Sequence, residues 1–307
     1  MSRTIFAQCG VSQVPRILGF IDQDSASSTY GCADRAYWHY KTIDFSNARF
    51  QEAALVLALA YLLPMESNRF YRKDLIKDWA MAAINFWAKS RHADGSTDES
   101  YPSERHFCST AFSLYSVTEA LVLLGEKPRQ DFGVSGTFLI RNDNSDVANQ
   151  EACAALALYN LSLVSGEETW KAAADVKIGK LLRMQTKDGS FLEYGGFDLG
   201  YDTITLSFLA GLYQKTSRAD IKAAAERLIA KIQPFMDEDG YFSNEGMSRR
   251  TQFVYPYGFR IFAPAVLQRL EGGLQKDVIL NPSWMDDRYC MPLTANYLMT
   301  GFTEGRS

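Results

Sequence analysis

The sequence predicts an all-α fold in which six helical hairpins form an (α/α)6 toroid, with an inner ring of helices inside an outer ring. Three observations predict it. Apolar residues recur with helical periodicity over most of the 307 residues, strand-like alternation is scarce, and polar turn markers return at nearly even spacing. We expect residues 1–307 to form a single toroid domain, a length that buries a large core.

The helical segments are of two kinds. Segments such as "EACAALALYNLSLVSG" are apolar on every face, as expected for inner helices that are buried on both sides. Segments such as "ETWKAAADVKIGKLLRMQ" are amphipathic and suit an outer ring with one wet face. The first outer helix, expected within Val14–Tyr40, has a poor pattern. The other predicted helices are Phe50–Leu63, Leu75–Lys89, Phe107–Leu124, Asn149–Val164, Thr169–Met184, Ile204–Tyr213, Asp220–Phe235 and Phe259–Leu270.

Polar markers separate these segments at intervals of 47, 49, 45, 51 and 47 residues. Each interval has room for two helices of about 15 residues plus loops. Each marker follows an amphipathic segment and precedes an apolar one. We therefore expect all six marker loops at one end of the toroid, where the inner helices begin. The markers are Asn47, Asp94, Asp143, Asp188, Asp239 and Asp286.

Composition excludes several classes of protein. The formal charge of −4 and pI near 5.5 give no electrostatic footprint for nucleic acid. We find no membrane-span pattern and no signal-peptide core at the N-terminus, so we expect a cytoplasmic protein. The five cysteines are scattered and should be reduced thiols. The three histidines form no metal motif, so we expect neither metal nor cofactor. The oligomeric state stays open.

Two of the marker loops match residue for residue without a gap. The segment "DGSTDESYPSERHFCST", Asp94 to Thr110, lies over "DGSFLEYGGFDLGYDTI", Asp188 to Ile204. The loop that begins at Asp239 departs from this match and carries two arginines and two tyrosines further on. The alignment pairs Glu99 with Glu193, Glu104 with Asp198, and Phe107 with Tyr201.

The expected position of these loops suggests their chemistry. The first N–H groups of a helix are unpaired and carry the positive end of the helix dipole, so this end favours anionic ligands or acidic capping side chains. Paired carboxylates across a cleft are the usual groups that split a glycosidic bond. A histidine or tyrosine beside an arginine can instead remove a proton next to a carboxylate.

Candidate site residues follow from these two chemistries. The catalytic candidates are Glu193, Asp198, Glu104, His106 and Tyr255. The candidates for substrate binding are Glu99, Tyr101, Asn149, Tyr194, Tyr201, Asp202, Arg249, Arg250 and Tyr257.

Each candidate also has a structural interpretation. Glu99 and Glu193 also suit helix caps or struts between loops, and Asp202 suits the cap of a helix that starts near Thr203. Arg249 and Arg250 suit ion pairs with the acidic loop residues. The aspartates of the Asp-Gly pairs are better turn formers than catalysts.

The chain resembles the α/α-toroid superfamily on these features. Members include six-hairpin glycosidases, the helical domains of polysaccharide lyases, and terpenoid cyclases with protein prenyltransferases. The "QTKDGSF" stretch, Gln185 to Phe191, is similar to the Q-x-x-x-G-x-W repeat of the cyclases, but their acidic D-x-D-D motif is absent. The Asn, His, Tyr and Arg types of the lyases are present without a family motif.

The resemblance implies a carbohydrate-active enzyme that cleaves or modifies an acidic oligo- or polysaccharide, as a glycoside hydrolase, lyase or epimerase. Two alternatives stay open at this point. One is a noncatalytic toroid that binds a glycan or a partner. The other is an isoprenoid-processing enzyme, which would need a deep apolar central cavity.

Overall fold

The computed structural model describes residues 5–302, and this part of the chain consists of helices and loops without a β-strand. The predicted all-α class is confirmed. Three short 3₁₀-helices, Ala48–Glu52, Gln233–Phe235 and Pro282–Trp284, add to the α-helices. The α-helices of the described residues are α1 Ile5–Leu18, α2 Arg35–Trp38, α3 Ala53–Leu62, α4 Asp74–Ser90, α5 Phe107–Leu124, α6 Gly133–Arg141, α7 Ala148–Ser165, α8 Glu168–Arg183, α9 Leu199–Thr216, α10 Ala219–Ile232, α11 Tyr257–Phe262, α12 Pro264–Gln275 and α13 Asp287–Gly301.

The helices predicted to be inner helices are the ones that build the core. We call α3, α5, α7, α9, α11 and α13 the core helices. α3 packs on α5, α5 on α7, α7 on α9, α9 on α11, α11 on α13, and α13 on α3. α7 is buried along nearly its whole length because alanine and leucine occupy every face, and small side chains allow neighbouring helices to approach closely.

The amphipathic helices lie against single core helices or adjacent pairs of them. α4 packs on α3, α8 on α7, α10 on α9, and α1 on α13, while α6 contacts both α5 and α7. α10 shows most clearly why these helices pack with one face against the core. Its apolar residues Ile221, Leu228 and Ile232 are buried at helical spacing, whereas Lys222 and Glu226 stay exposed.

The helices differ from the prediction in several places. The segment Phe259–Leu270 is interrupted at Ala263, because Pro264 lacks the N–H that a continuous helix needs and starts α12 instead. α9 begins at Leu199, five residues before the predicted Ile204. The first helix, α1, starts at Ile5, earlier than the expected Val14. α2, α6 and α13 were not among the predicted helices, and the nine residues of α6 give too short a pattern.

Helix α5 is long and apolar enough to cross a membrane by length and composition alone, with a mean hydropathy of 1.5. In the fold, 83% of it is buried, and its polar residues Ser109, Ser113 and Thr118 hydrogen-bond inside the protein. These properties are those of a helix in the core of the fold. All five cysteines are free thiols.

The Asp-Gly pairs form the predicted turns. The Oδ1 atoms of Asp94 and Asp188 accept hydrogen bonds from Ser96 and Ser190, two residues further on. Gly95 has φ +86°, and an added Cβ would collide with the backbone of α6, so only glycine suits this position. The aspartates at these turns are structural.

Candidate functional site

The two matched loops dock on the preceding core segment in the same way. In the first loop, the carbonyl of Asp98 accepts a hydrogen bond of 3.0 Å from Ala48 N, at the start of the segment that leads into α3. In the second loop, the carbonyl of Leu192 accepts one of 3.2 Å from Ala148 N, at the start of α7. The next residue of each loop, Glu99 or Glu193, therefore faces the beginning of a core helix.

Glu193 is fully buried. Its carboxylate accepts hydrogen bonds from Asn149 N at 2.8 Å, Asn149 Nδ2 at 2.5 Å and Thr205 Oγ1 at 3.1 Å. Burial raises the pKa of Glu193 to about 8 in spite of these donors. The predicted catalytic residue is thus a strut that ties its loop to α7 and α9, and Asn149 is its partner rather than a ligand contact.

Asp198 and Asp202 are also fully buried. Asp198 is the N-cap of α9 and accepts hydrogen bonds from Tyr201 N, Arg249 N and both donors of Thr251. The cap is therefore Asp198, where the sequence suggested Asp202. Asp202 accepts one bond from Phe191 N, and burial followed by the charge of Glu193 raises its pKa well above the usual range. Neither side chain is placed to meet a substrate.

The equivalent glutamate of the first loop, Glu99, lies in a cluster of charges. It is ion-paired with Arg288, its Oε2 atom lies 3.9 Å from Arg49 Nη1, and Arg49 is in turn paired with Glu52. Burial opposes ionisation of Glu99, but the His106 imidazole and the two guanidinium groups outweigh it and lower its pKa to about 2. Glu99 is therefore a fixed negative charge between two arginines.

His106 completes this group. Its Nδ1 atom lies 3.6 Å from Glu99 Oε2 and 3.8 Å from Glu104 Oε1, and it makes no hydrogen bond. Glu104 is oriented by the backbone N–H groups of residues 99, 100 and 101, which donate to its Oε2. The side chain of His106 is 41% exposed, so a ligand can reach the imidazole. We call Arg49, Glu52, Glu99, Glu104, His106 and Arg288 the Glu99 cluster.

A row of aromatic rings leads away from this cluster. Tyr194 contacts Tyr201 edge to face at 5.4 Å between centroids, Tyr201 contacts Phe253 at 5.7 Å, and Phe253 stacks on Tyr289 at 6.4 Å. Arg288 lies over the ring of Tyr289, and Arg249 lies over that of Tyr194 at 4.5 Å. We call Tyr194, Tyr201, Phe253 and Tyr289 the aromatic strip. An arginine thus lies at each end of it.

The remaining predicted residues are dispersed. Tyr101 is 69% exposed, and the side chain of Arg250 is exposed while its carbonyl accepts a bond from Asn244. Tyr255 is buried beneath Phe253, and burial raises its pKa, so it holds its proton. Tyr257 is partly exposed and lines the cavity between the core helices.

Several cluster residues were missed by the sequence reasoning. Arg49 and Glu52 are almost completely buried at the start of an otherwise apolar segment. Two charges three residues apart at such a position are a detectable signal, because buried charges are rare unless they are paired. Arg288, and Tyr289 of the aromatic strip described above, directly follow the Asp286 marker, and the sequence alone does not connect them with Glu99.

The cavity between the core helices is small. Its volume is about 30 Å³, enough for one or two water molecules, and Tyr115, Phe208, Tyr255 and Tyr257 contribute to its lining. Among the described residues, no group of three or more His, Cys, Asp or Glu side chains is arranged to hold a metal ion.

Comparison with protein-family models and with curated protein sequences gives no match, so the function has to be inferred from these contacts.

Proposed function

We propose that this chain is an α/α toroid that binds an acidic oligo- or polysaccharide along the aromatic strip and modifies it at the Glu99 cluster. The order of helix packing, from α3 through α5, α7, α9, α11 and α13 back to α3, supports the toroid. The proposal includes a cytoplasmic location, in keeping with the free thiols.

The observation that carries the proposal is the aromatic strip between two arginines, with an accessible histidine at one end. Aromatic rings stack on the apolar faces of sugars, and guanidinium groups pair with carboxylates through two parallel hydrogen bonds. Arg249 makes no ion pair among the described residues, so it is the cation that is available to a substrate carboxylate. Arg288 has a buried Nε atom that lacks a partner.

Proton transfer at a carbon next to a carboxylate, as in a lyase or epimerase, is the reaction that this site favours. His106 is the proton acceptor, since imidazole is the commonest catalytic base. Glu99 and Glu104 stabilise the imidazolium that forms. In an elimination, the C–H electron pair becomes the new C=C bond, the C–O bond breaks, and the leaving oxygen takes a proton from water or from a tyrosine of the site.

A hydrolytic reaction has weaker support. Inverting and retaining hydrolases need a carboxylic acid that holds a proton beside the scissile bond and a second, ionised carboxylate. Glu193 holds its proton but is buried, and Glu99 is ionised down to about pH 2. For an isoprenoid substrate, the cavity next to Glu52 is too small at about 30 Å³, and the larger pocket at the carboxyl ends of the core helices is not accompanied by the D-x-D-D motif of the cyclases.

The test is a screen of uronate-containing polysaccharides, such as alginate, heparin and pectate, with the full-length protein. Lyase activity produces unsaturated uronate, which absorbs in the ultraviolet, together with new reducing ends. Epimerase activity changes the proton NMR spectrum without chain cleavage. Reducing ends without unsaturation would overturn the proton-transfer assignment in favour of hydrolysis. Binding without turnover would leave a noncatalytic glycan-binding toroid.

His106→Ala is the decisive variant, and its matched control is His39→Ala. His39 is exposed, and its ring lies beside the rings of Trp38 and Tyr40. We expect the His106 variant to lose at least about 100-fold in kcat with little change in substrate affinity. The His39 variant should keep full activity.

A further inference from the structure

A second pocket lies at the other ends of the core helices. It is lined by residues near the carboxyl ends of α3, α5, α9 and α13, among them Leu59, Leu123, Lys215 and Met299, and its volume is about 380 Å³. We call it the far pocket. Leu123 lies 17 residues beyond His106, about 25 Å along the axis of α5, so the far pocket is a different opening from the one that exposes the His106 imidazole. The small cavity lined by Glu52, Tyr257 and Met299 lies between the two. The size of the far pocket suits a small organic molecule.

One ion pair of the far pocket is internal to the protein. Glu119 accepts hydrogen bonds from Asn160 Nδ2 at 2.6 Å and from Lys215 Nζ at 3.2 Å. Glu119 and Asn160 are both buried. The negative charge of Glu119 is thus matched by Lys215, and this pair adds no net charge to the pocket.

Arg260 supplies the remaining charge. It lies on α11, lines the pocket and is half-buried, and it forms no ion pair with any described residue. Burial lowers its pKa, as expected for a guanidinium that has lost water without gaining a carboxylate. A half-buried cation beside an open pocket of this size is a binding group for an anion.

The rest of the lining limits the kind of anion. Leu59, Leu123, Ile261, Met299 and Phe302 give the pocket an apolar wall. The carboxyl ends of helices carry partial negative charge, which disfavours a doubly charged anion such as phosphate more strongly than a singly charged one. We propose that the far pocket binds a small organic monocarboxylate, with its carboxylate on Arg260 and its apolar body against Leu123 and Met299.

Hexanoate is the probe for this proposal, and 1-hexanol and hexylamine are its neutral and cationic counterparts. The full-length protein is labelled with ¹³C at the methionine methyl groups, and the Met299 signal is assigned by Met299→Leu. We expect hexanoate to shift this signal in a saturable way, at least about tenfold more tightly than hexanol and with no response to hexylamine. Equal binding of all three probes would overturn the assignment of an anion site.

Arg260→Gln should weaken hexanoate binding by about tenfold or more, whereas Arg269→Gln, an exposed change on α12, should leave it unchanged. Leu123→Trp fills the pocket without altering its charge and should also abolish binding. This second variant tests the pocket even if Arg260→Gln does not fold. Loss of binding in Arg288→Gln but not in Arg260→Gln would place the anion at the Glu99 cluster and refute the proposal. None of these readouts requires glycan turnover.

Discussion

The two matched loops place equivalent glutamates in opposite environments. Ala48 and Ala148 dock the loops in the same way, but different groups then surround each glutamate. His106, Arg49 and Arg288 face Glu99, and together they lower its pKa to about 2 despite its burial. After Ala148 comes Asn149, so Glu193 is buried without a cation and its pKa rises to about 8. Two residues at the same position of a repeated loop therefore occupy the same place in the fold, but their ionisation states can differ.

The largest effect is expected from removing the buried strut. Glu193→Ala leaves two donors of Asn149 and the hydroxyl of Thr205 without an acceptor and opens a cavity. We expect the free energy of unfolding to fall by about 4 kcal/mol in urea denaturation. The control is Glu245→Ala, an exposed glutamate of the next loop, which should cost at most about 0.5 kcal/mol. Equal losses in both variants would contradict the strut assignment.

The second-largest effect is expected in the pH dependence of the unfolding free energy, which should differ between Glu193 and Glu99. In the unfolded chain Glu193 ionises near its ordinary pKa of 4.5, whereas the folded protein keeps the proton until about pH 8. Unfolding therefore releases a proton between these values, and stability should fall as the pH rises from about 4.5 to about 8, by on the order of 3 kcal/mol.

Glu193→Gln is the matched variant for this effect, because it removes the ionisable group and keeps the shape. The difference between the wild-type and variant unfolding free energies should change across pH 5 to 8, while Asp202, whose pKa is also raised, contributes to both profiles. Parallel profiles over that range would show that Glu193 is already ionised in the folded protein.

Glu99→Gln should act in the opposite pH range. The folded pKa of about 2 lies below the ordinary 4.5, so the ionised group stabilises the protein above about pH 4.5 and this contribution is lost as the pH falls toward 2. We expect a loss of about 2 kcal/mol at pH 7 that shrinks in acid, measured by urea denaturation from pH 7 to pH 3. A loss that is independent of pH would mean that packing, and not the pairing with Arg49 and Arg288, explains it.

The sequence predicted the helices well because their periodicity is local. The core segments are apolar on every face and the outer ones are amphipathic, a difference that α7 and α10 retain in the structure. The break at Ala263 could also have been predicted, because the next residue is Pro264 and a proline interrupts a helix. α6 was missed because nine residues carry too little periodicity.

The site was harder to predict because it depends on contacts between distant segments. Arg288 and Glu99 form an ion pair although they are 189 positions apart in the chain, and no local sequence pattern predicts such a pair. Glycines and tyrosines surround Glu193 and Asp198 in the sequence, which favours a functional site at this loop. The structure gives those neighbours another explanation: Gly200 allows Thr251 to approach the start of α9, where Asp198 accepts its hydrogen bonds.

The smallest effect on stability and the largest on ligand binding are expected where the loop that begins at Asp239 covers the surface of the second loop. The strut at Glu193 fixes the next residue, Tyr194, at φ +56° beneath the guanidinium of Arg249. Arg249→Gln should cost only about 0.5 kcal/mol in unfolding free energy, because an exposed cation–π contact is weak. It should nevertheless reduce the affinity for an acidic oligosaccharide by about tenfold, measured by calorimetric titration.

Arg250→Gln is the control for this change, since it removes the same charge one residue away. Its side chain is exposed and, among the described residues, forms no ion pair and no contact with a ring. If both variants lose affinity equally, only the overall charge of the loop matters and the aromatic strip has no defined end. If only Arg249→Gln loses affinity, one end of the ligand is held by Tyr194 of the second loop together with Arg249 of the third loop, and the Glu99 loop supplies the histidine at the other end.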